Sequence, residues 1–443
     1  MTCRSLLLLL TIAGTVIGAF GSSVQEQAAF LAGMPLPKGS TLTPLQNSPD
    51  YRQHQKELQE QWAFCRRIRY DVMQQWGRDH LSQHVSTRGV VRYLFGGPDF
   101  LNAQAFFPDA RIMVLGGLEP VGEMPSPETL SPEAFAVGLK ALREALHTSL
   151  FCGYFITSEM RPQLLQGLFR GVLPVLLTEL ALTGNQIISV EMTKPFGSSG
   201  VKILYERYDP RADTQPQTLY YFQADLSNGP EGKRFLGWLG ALGQGASYLK
   251  AASFLLPLDS FSETRNFLLK TSALILQDDS GIPFHDFHSD LWKVQLFGVY
   301  VEPLTIFKVH KEPELEAAYH SGEYSGLLPF GAGYHVNARD ANLILATRID
   351  VRPDSVALPS VITPMPLLTP TPAPAHTPKP RRIRIRKALP VEIRRALPVN
   401  APPTVPITLS EPSQEIQLPQ PTDAPRIEAA PEVMVIPEAA PLR

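Results

Sequence analysis

The sequence contains few cysteines, and their scarcity excludes one class of fold. The 443 residues include three, Cys3, Cys65 and Cys152, so the chain is not a small domain stabilised by a disulfide framework. Cys3 precedes the apolar run of an N-terminal leader, which leaves two cysteines in the mature chain. Cys65 and Cys152 either pair in an oxidising compartment or remain as two buried thiols, and the sequence leaves both alternatives open.

The sequence also lacks an excess charge of one sign and a long apolar run within the mature chain. It has 40 Lys and Arg residues against 42 Asp and Glu residues, a formal net charge of −2. This balance gives no support to a nucleic-acid partner, and we expect none. Beyond the leader no stretch is long and apolar enough to cross a membrane, so we expect no transmembrane helix after cleavage.

Two familiar motifs are missing as well. No G-x-S-x-G sequence is present, so a serine hydrolase of that type is not supported. A glycine turn, Gly96-Gly97-Pro98, follows an apolar strand-like segment, but the G-x-G-x-x-G spacing of dinucleotide sites is absent. Pro98 also removes one backbone N–H that a phosphate group would use. The turn therefore favours a structural role over nucleotide binding.

The first 49 residues are predicted to hold a signal peptide and a linker. Arg4 supplies positive charge, an apolar stretch runs from Leu6 to Phe20, and Ala19 and Gly21 suit cleavage before Ser22. Residues 1–21 are thus interpreted as a signal peptide, which predicts a secreted or periplasmic protein of the cell envelope. Residues 22–49, which mix proline and serine with other types, are predicted to be a linker.

The C-terminal segment, residues 351–443, has a different composition. It holds 21 of the 42 prolines and no Gly, Phe, Tyr, Trp or Cys, so it cannot build a core and is predicted to be a disordered, proline-rich tail. Its basic centre has two interpretations, contact with an anionic envelope surface or a solvated linker whose charges prevent aggregation. The basic side chains are Arg381, Arg382, Arg384, Arg386 and Lys387.

Residues 50–350 are predicted to form a globular α/β head, or an α+β variant, in which helices pack on a mixed sheet. An apolar spacing of three or four residues predicts an amphipathic helix over Asp50–Leu81. A strand, turn, helix and second strand follow within Val90–Gly117, and the later half is richer in strands. The predicted buried stripe of the amphipathic helix is Leu58, Trp62, Cys65, Ile68, Val72 and Trp76.

Acidic residues follow three of the predicted strands. Asp99 and Glu119 come after the first two strands, and Asp278 and Asp279 come directly after the apolar strand Ala273–Leu276 and Gln277. Because ligands bind at strand ends in α/β folds, we expect these four carboxylates to line one cleft as general acids or bases. Asp99 is also expected to cap the helix that follows it.

A possible divalent-metal site follows the Asp278-Asp279 turn. His285 and His288 are three residues apart, with Asp286 between them, and imidazole and carboxylate groups both ligate divalent metals. The alternative is that Asp278-Asp279-Ser280-Gly281 is only a turn, in which aspartates bond to nearby backbone N–H groups. The cofactor is unknown from the sequence, and a divalent metal is the candidate.

Four short segments resemble motifs of an uncharacterised family of exported bacterial proteins. They are Tyr93–Asp99, Phe106–Pro108, Leu118–Gly122 and Gln277–Pro283, and the similarity covers roughly Arg88–Phe307. The resemblance implies a bacterial envelope protein, and it assigns no catalytic residue. The function predicted from the sequence is ligand binding or catalysis by clustered carboxylates in the head. The alternative is a non-enzymatic envelope tether or scaffold with a long proline-rich linker.

Overall fold

The computed structural model describes residues 22–124, 126–151, 170–207, 215–322 and 324–351. The chain divides into two units, Met1–Met365 and Pro366–Arg443, and the described residues all belong to the first. The predicted signal peptide, Cys152 and nearly all of the predicted tail, including its basic centre, therefore lie outside the described residues.

Ten α-helices are present in this part of the chain, and none of them is long and apolar enough to cross a membrane. Short 3₁₀ helices occupy Val85–Arg88, Pro127–Thr129, Asp259–Phe261, Phe284–Asp286, Thr305–His310 and Ala338–Asp340, and a π-helix spans Arg66–Tyr70. The α-helices are α1 (Val24–Leu31), α2 (Thr43–Gln46), α3 (Pro49–Cys65), α4 (Asp71–His80), α5 (Phe100–Phe106), α6 (Pro132–Phe151), α7 (Leu173–Leu182), α8 (Pro230–Ala241), α9 (Ser262–Thr271) and α10 (Pro313–His320).

Nine described strands form one mixed sheet, which confirms the predicted α/β class. Their order is β3-β4-β5-β2-β1-β6-β7-β9-β8. The five central strands, from β5 to β7, are parallel, and antiparallel pairs extend both sides. The strands are β1 (Val90–Tyr93), β2 (Ile112–Gly117), β3 (Asn185–Thr193), β4 (Gly200–Arg207), β5 (Gln217–Gln223), β6 (Gly245–Leu249), β7 (Ser272–Gln277), β8 (Trp292–Gly298) and β9 (Asn342–Arg348).

Helices cover both faces of the sheet. Helices α1 and α3–α7 share one hydrophobic core with strand side chains such as Tyr93 and Leu115. Helices α8 and α9 share a second core with side chains of the opposite face, such as Leu94 and Phe222. The central strands are buried on both faces, which explains why β1 and β2 are nearly continuous apolar runs in the sequence.

The prediction that residues 22–49 form a linker is wrong for the first part of that range. Ser23 caps α1 through its side chain, and Phe30 and Leu31 of that helix are fully buried. Each such side chain contributes about 2 kcal/mol of transfer free energy. The neighbouring prolines and serines gave the segment the composition of a linker, although the apolar Ala28–Ala32 run belongs to the core.

The amphipathic helix predicted over Asp50–Leu81 is two helices, α3 and α4, joined by the π-helix. A π-helix closes i→i+5 hydrogen bonds and so shifts the register of the helical faces by about one residue. Ile68, predicted to be buried, lies in this turn and is 41% exposed. Leu58, Trp62, Cys65 and Trp76 are buried as predicted.

The strand order places a topological switch point at the carboxyl ends of β1 and β6. From β1 the chain continues to β2 on one side, whereas from β6 it continues to β7 on the other side. In doubly wound sheets ligands bind where the connections from two neighbouring strands run to opposite sides. We call this place the switch point, and the candidate site lies there.

Candidate functional site

The turn after β1 brings Asp99 to the switch point. The Gly97 backbone has φ +58°, a left-handed conformation that glycine adopts without strain, and its N–H donates to Gly116 O at 3.1 Å. Asp99 then caps α5, because its Oδ1 accepts from the Asn102 N–H at 3.2 Å. The predicted capping role of Asp99 is confirmed.

Lys250, the residue directly after β6, forms a buried ion pair with Asp99. Its Nζ lies 2.5 Å from Asp99 Oδ2, and the two side chains are 4% and 1% exposed. Burial lowers the pKa of the Lys250 ammonium, and the negative charge of Asp99 opposes this shift. The Tyr93 hydroxyl also donates to Asp99 Oδ2, at 2.8 Å. Asp99 is therefore held by groups from β1, from α5 and from the end of β6.

Glu119 lies against the same turn. The Tyr221 hydroxyl is 2.9 Å from Glu119 O and 3.3 Å from its Oε2. Glu119 Oε2 is also 3.3 Å from the position that a Cβ would take on Gly97. The structure thus places Glu119, buried, beside the turn that carries Asp99.

Asp278 reaches the switch point from the end of β7. Its Oδ2 accepts from the Ala251 N–H at 2.7 Å, and its Oδ1 accepts from the Ser280 N–H and hydroxyl at 3.0 and 2.6 Å. Burial raises the pKa of Asp278, and these hydrogen bonds together with the Lys250 charge oppose the rise. One ammonium group therefore interacts electrostatically with two carboxylates, Asp99 and Asp278.

Asp279 has different partners from its neighbour Asp278. Its N–H donates to Asn342 Oδ1 on β9 at 3.1 Å. Burial raises the pKa of Asp279 well above its ordinary value, and the charges of Asp278 and Glu312 raise it further. Asp279 lies in the turn after β7 and interacts electrostatically with Glu312, which precedes α10.

The predicted metal residues do not form a metal site. His285 and His288 are exposed, and Asp286 lies 3.2 Å from the Nε of Arg265. Within the described ranges, no group of three or more His, Cys, Asp or Glu side chains could hold a metal ion. Asp286 serves as an ion-pair partner at the 3₁₀ turn Phe284–Asp286. The turn interpretation applies to Asp278, whose Oδ1 accepts from the Ser280 N–H.

Three buried charged residues at the site, Lys250, Glu179 and Arg69, were not predicted from the sequence. Glu179 of α7 accepts from the Phe100 and Leu101 N–H groups, at 3.0 and 3.3 Å, at the start of α5. Burial raises the pKa of Glu179 well above its ordinary value, with a further contribution from the Asp99 charge. For Lys250 and Glu179 the sequence did carry a signal, a single charged residue beside or within an apolar run. Lys250 follows β6, and Glu179 interrupts α7.

Backbone strain is concentrated in the loop after β6. Among the described residues the non-glycine residues with positive φ are Ala251, Ser253 and Phe254, at +51°, +57° and +53°. Such conformations cost of order 1–3 kcal/mol each and persist where surrounding contacts impose them. The strained loop begins one residue after Lys250 and supplies the Ala251 N–H that bonds to Asp278.

A small cavity of about 10 Å³, room for about one water molecule, lies at the switch point. Its polar lining groups are Arg69, Asn102 and Lys250. Residues Phe330–Tyr334, which we call the cover segment, close it through Phe330–Gly333. Arg69 is held in place because its Nη2 donates to Leu150 O at 3.0 Å, at the carboxyl end of α6.

Two larger grooves lie on the helical surface. One, of about 360 Å³, is lined by residues near the end of α1 and by α3, and the other, of about 570 Å³, lies between α3 and α6. Neither these grooves nor the small cavity is lined by Asp99, Glu119, Asp278 or Asp279. The small cavity is the candidate site because Lys250, the partner of Asp99 in the buried ion pair, lines it.

Comparison with known proteins found no counterpart. No protein-family model matches the chain, and no curated protein or solved structure matches it.

Proposed function

We propose that the head binds a small polar ligand at the switch point and that Asp99 and Lys250 exchange or hold a proton with it. The observation that carries the proposal is the buried Lys250–Asp99 ion pair, placed where doubly wound sheets bind ligands. We further propose that this head belongs to an exported cell-envelope protein. Its signal peptide, its tail and its resemblance to an exported family stay predictions.

The chemistry of the pair supports an acid–base role. Desolvation lowers the pKa of Lys250, so this pKa lies closer to physiological pH than that of an exposed lysine. Desolvation also raises the pKa of Asp278, whose charge interacts with the same ammonium. Groups whose environments shift their protonation in a crevice are candidates for acid–base work. A ligand hydroxyl or carbonyl beside Lys250 Nζ would accept a hydrogen bond from it, and Asp99 would stabilise the ammonium form.

The test is a ligand screen on the full chain by thermal unfolding. The probes are hydroxy acids, amino acids, sugars and nucleotides, each at millimolar concentration, applied to the wild type, to Asp99→Asn and to Lys233→Met. Lys233 is the matched control, because its ion pair with Glu263, at 3.0 Å, is exposed.

We expect at least one class of compound to raise the melting temperature of the wild type and of Lys233→Met but not of Asp99→Asn. The proposal fails if no compound stabilises the wild type, or if stabilisation is equal in Asp99→Asn.

A further inference from the structure

We infer that the cover segment is a lid over Lys250 and Asp278 and that Tyr334 is its latch. This inference rests on the proposed function, because it supplies the route by which a ligand reaches the switch point. With the segment in place, the cavity beside Lys250 holds about one water molecule. Any larger ligand requires the segment to move.

The cover segment touches the site directly. A Cβ added to Gly333 would lie 2.0 Å from Asp278 Oδ2, so the backbone at this position rests against the carboxylate. At the other end, the Phe330 ring packs on the Phe106 ring, with centroids 5.8 Å apart. Movement of the segment therefore uncovers both Asp278 and the cavity wall.

The latch is a pair of hydrogen bonds made by one half-buried side chain. The Tyr334 hydroxyl donates to Ala251 O at 3.0 Å and lies 2.6 Å from Ser253 Oγ. Both partners belong to the strained loop after β6. The Ala251 N–H in turn bonds to Asp278 Oδ2, so the latch and the site acid are held by the same residue.

The backbone around the cover segment suits local opening. The chain between α10 and β9 holds one short 3₁₀ helix, Ala338–Asp340, and otherwise no regular helix or strand among its described residues. Gly326 and Gly333 have φ of +133° and +58°, which glycine adopts freely. Phe330 and Ala332 belong to the hydrophobic core, so opening exposes apolar surface, while the lack of regular structure and the glycines lower the cost of moving the backbone.

The experiment measures how fast Lys250 becomes accessible in the full chain. Acetylation by a small N-hydroxysuccinimide ester is followed by peptide mass spectrometry in the wild type and in Tyr334→Phe. Exposed Lys233, whose side chain is 61% exposed, is the internal reference. The control variant is Tyr319→Phe, which also loses one buried hydroxyl contact, a 3.0 Å bond to Phe297 O.

In the wild type we expect Lys250 to react far more slowly than Lys233. Loss of the Tyr334 hydroxyl removes both hydrogen bonds of the latch and should raise the rate at Lys250 by about fivefold to thirtyfold, the effect of one to two net hydrogen bonds on an opening equilibrium. Tyr319→Phe should leave it near the wild-type rate. Equal Lys250 rates in wild type and Tyr334→Phe, or equal increases in both variants, would overturn the lid.

A second variant tests the lid without the latch. Gly333→Ala places a Cβ against Asp278 in a left-handed conformation, so the segment should be displaced and Lys250 should again react faster. Neither measurement needs a ligand. A failed ligand screen with faster Lys250 labelling would refute the proposed function alone, whereas ligand binding with unchanged labelling would refute the lid alone.

Discussion

Lys250 Nζ and Asp99 Oδ2 lie 2.5 Å apart although 151 residues separate them in the chain. The contact exists because β1 and β6 are neighbours in the sheet while their chains continue in opposite directions. Each residue follows the end of its strand and is almost fully buried. The ion pair therefore links the two halves of the sheet electrostatically, at the switch point between β1 and β6.

Removing only the cation should be strongly destabilising. Lys250→Met leaves Asp99 buried with its main charge partner gone, and breaking a buried pair in this way costs about 3–5 kcal/mol. Urea denaturation should show this loss in the free energy of unfolding. The exposed control Lys233→Met should lose less than about 1 kcal/mol.

The double variant Asp99→Asn/Lys250→Met completes the cycle. The asparagine introduced by Asp99→Asn keeps an oxygen that can accept from the Tyr93 hydroxyl, so the double variant should be more stable than Lys250→Met alone. Independent, additive losses from the two substitutions would show that the ion pair contributes no coupling free energy.

Glu312 should make the stability of the head depend on pH. Burial raises its pKa to about 7 from an ordinary 4.5, although its Oε2 accepts from the Phe284 N–H at 2.6 Å. A carboxyl whose folded pKa is raised contributes stability that is complete below about pH 4.5 and is lost as the pH rises through 7.

The matching substitution is Glu312→Gln, which keeps an oxygen for the Phe284 N–H and removes the charge. It should be no more stable than the wild type at pH 4.5 and more stable at pH 8, by at most about 3 kcal/mol. Glu60→Gln, at an exposed position on α3, is the control and should show a much smaller difference. Parallel stability–pH curves for wild type and Glu312→Gln would contradict the prediction.

Gly117 should tolerate no side chain, because three groups of the site meet there. A Cβ at this position would lie 2.4 Å from Glu119 Oε2, 2.8 Å from Gly97 Cα and 3.0 Å from the Tyr221 hydroxyl. Gly117→Ala should therefore lower the free energy of unfolding by about 1–3 kcal/mol.

Gly237, inside α8, is the opposite case, because a Cβ added there would have no heavy atom from outside the helix backbone within 4 Å. That substitution should raise stability by about 0.5–1 kcal/mol through helix propensity. Thermal unfolding of both variants measures the difference, and a shift of the same sign in both would contradict the packing argument.

Local patterns in the sequence predicted the elements that carry the site. The apolar run at β1, its glycine turn and the capping Asp99 are all determined by neighbouring residues, and they fold as expected. The sequence also placed acids correctly after the ends of β2 and β7. These ends lie at one edge of the sheet because the central strands are parallel.

The pairing across the sheet could not be predicted in the same way. Strand order is a property of the whole chain, so nothing near Lys250 indicated that β6 would lie beside β1. The separate environments of Asp278 and Asp279 depend on β9 and α10 packing beside them, and the metal prediction failed because Arg265, distant in sequence, pairs with Asp286. Long-range contacts determine what strand-end acids do, even where local patterns determine that they are there.

A buried cation on the opposite face of β1 offers a last test of how this core is built. Arg92 is fully buried, and one of its Nη atoms donates to Gly243 O. Among the described residues its Nε and Nη1 have no hydrogen-bond partner, and burial lowers the pKa of the guanidinium to about 10. The Phe267 ring also lies 5.7 Å from the guanidinium carbon.

Because unpaired buried donors cost about 1–3 kcal/mol, a residue of similar length without them should fit this site better. Arg92→Met should raise the free energy of unfolding by about 1–3 kcal/mol, measured by urea denaturation at pH 7. Arg265→Met is the control of opposite sign, since it removes an arginine that pairs with Asp286 at 3.2 Å and should lower stability. A loss of several kcal/mol in Arg92→Met would mean that bound water or another group satisfies the guanidinium, and that this cation helps to hold β1 against α8 and α9.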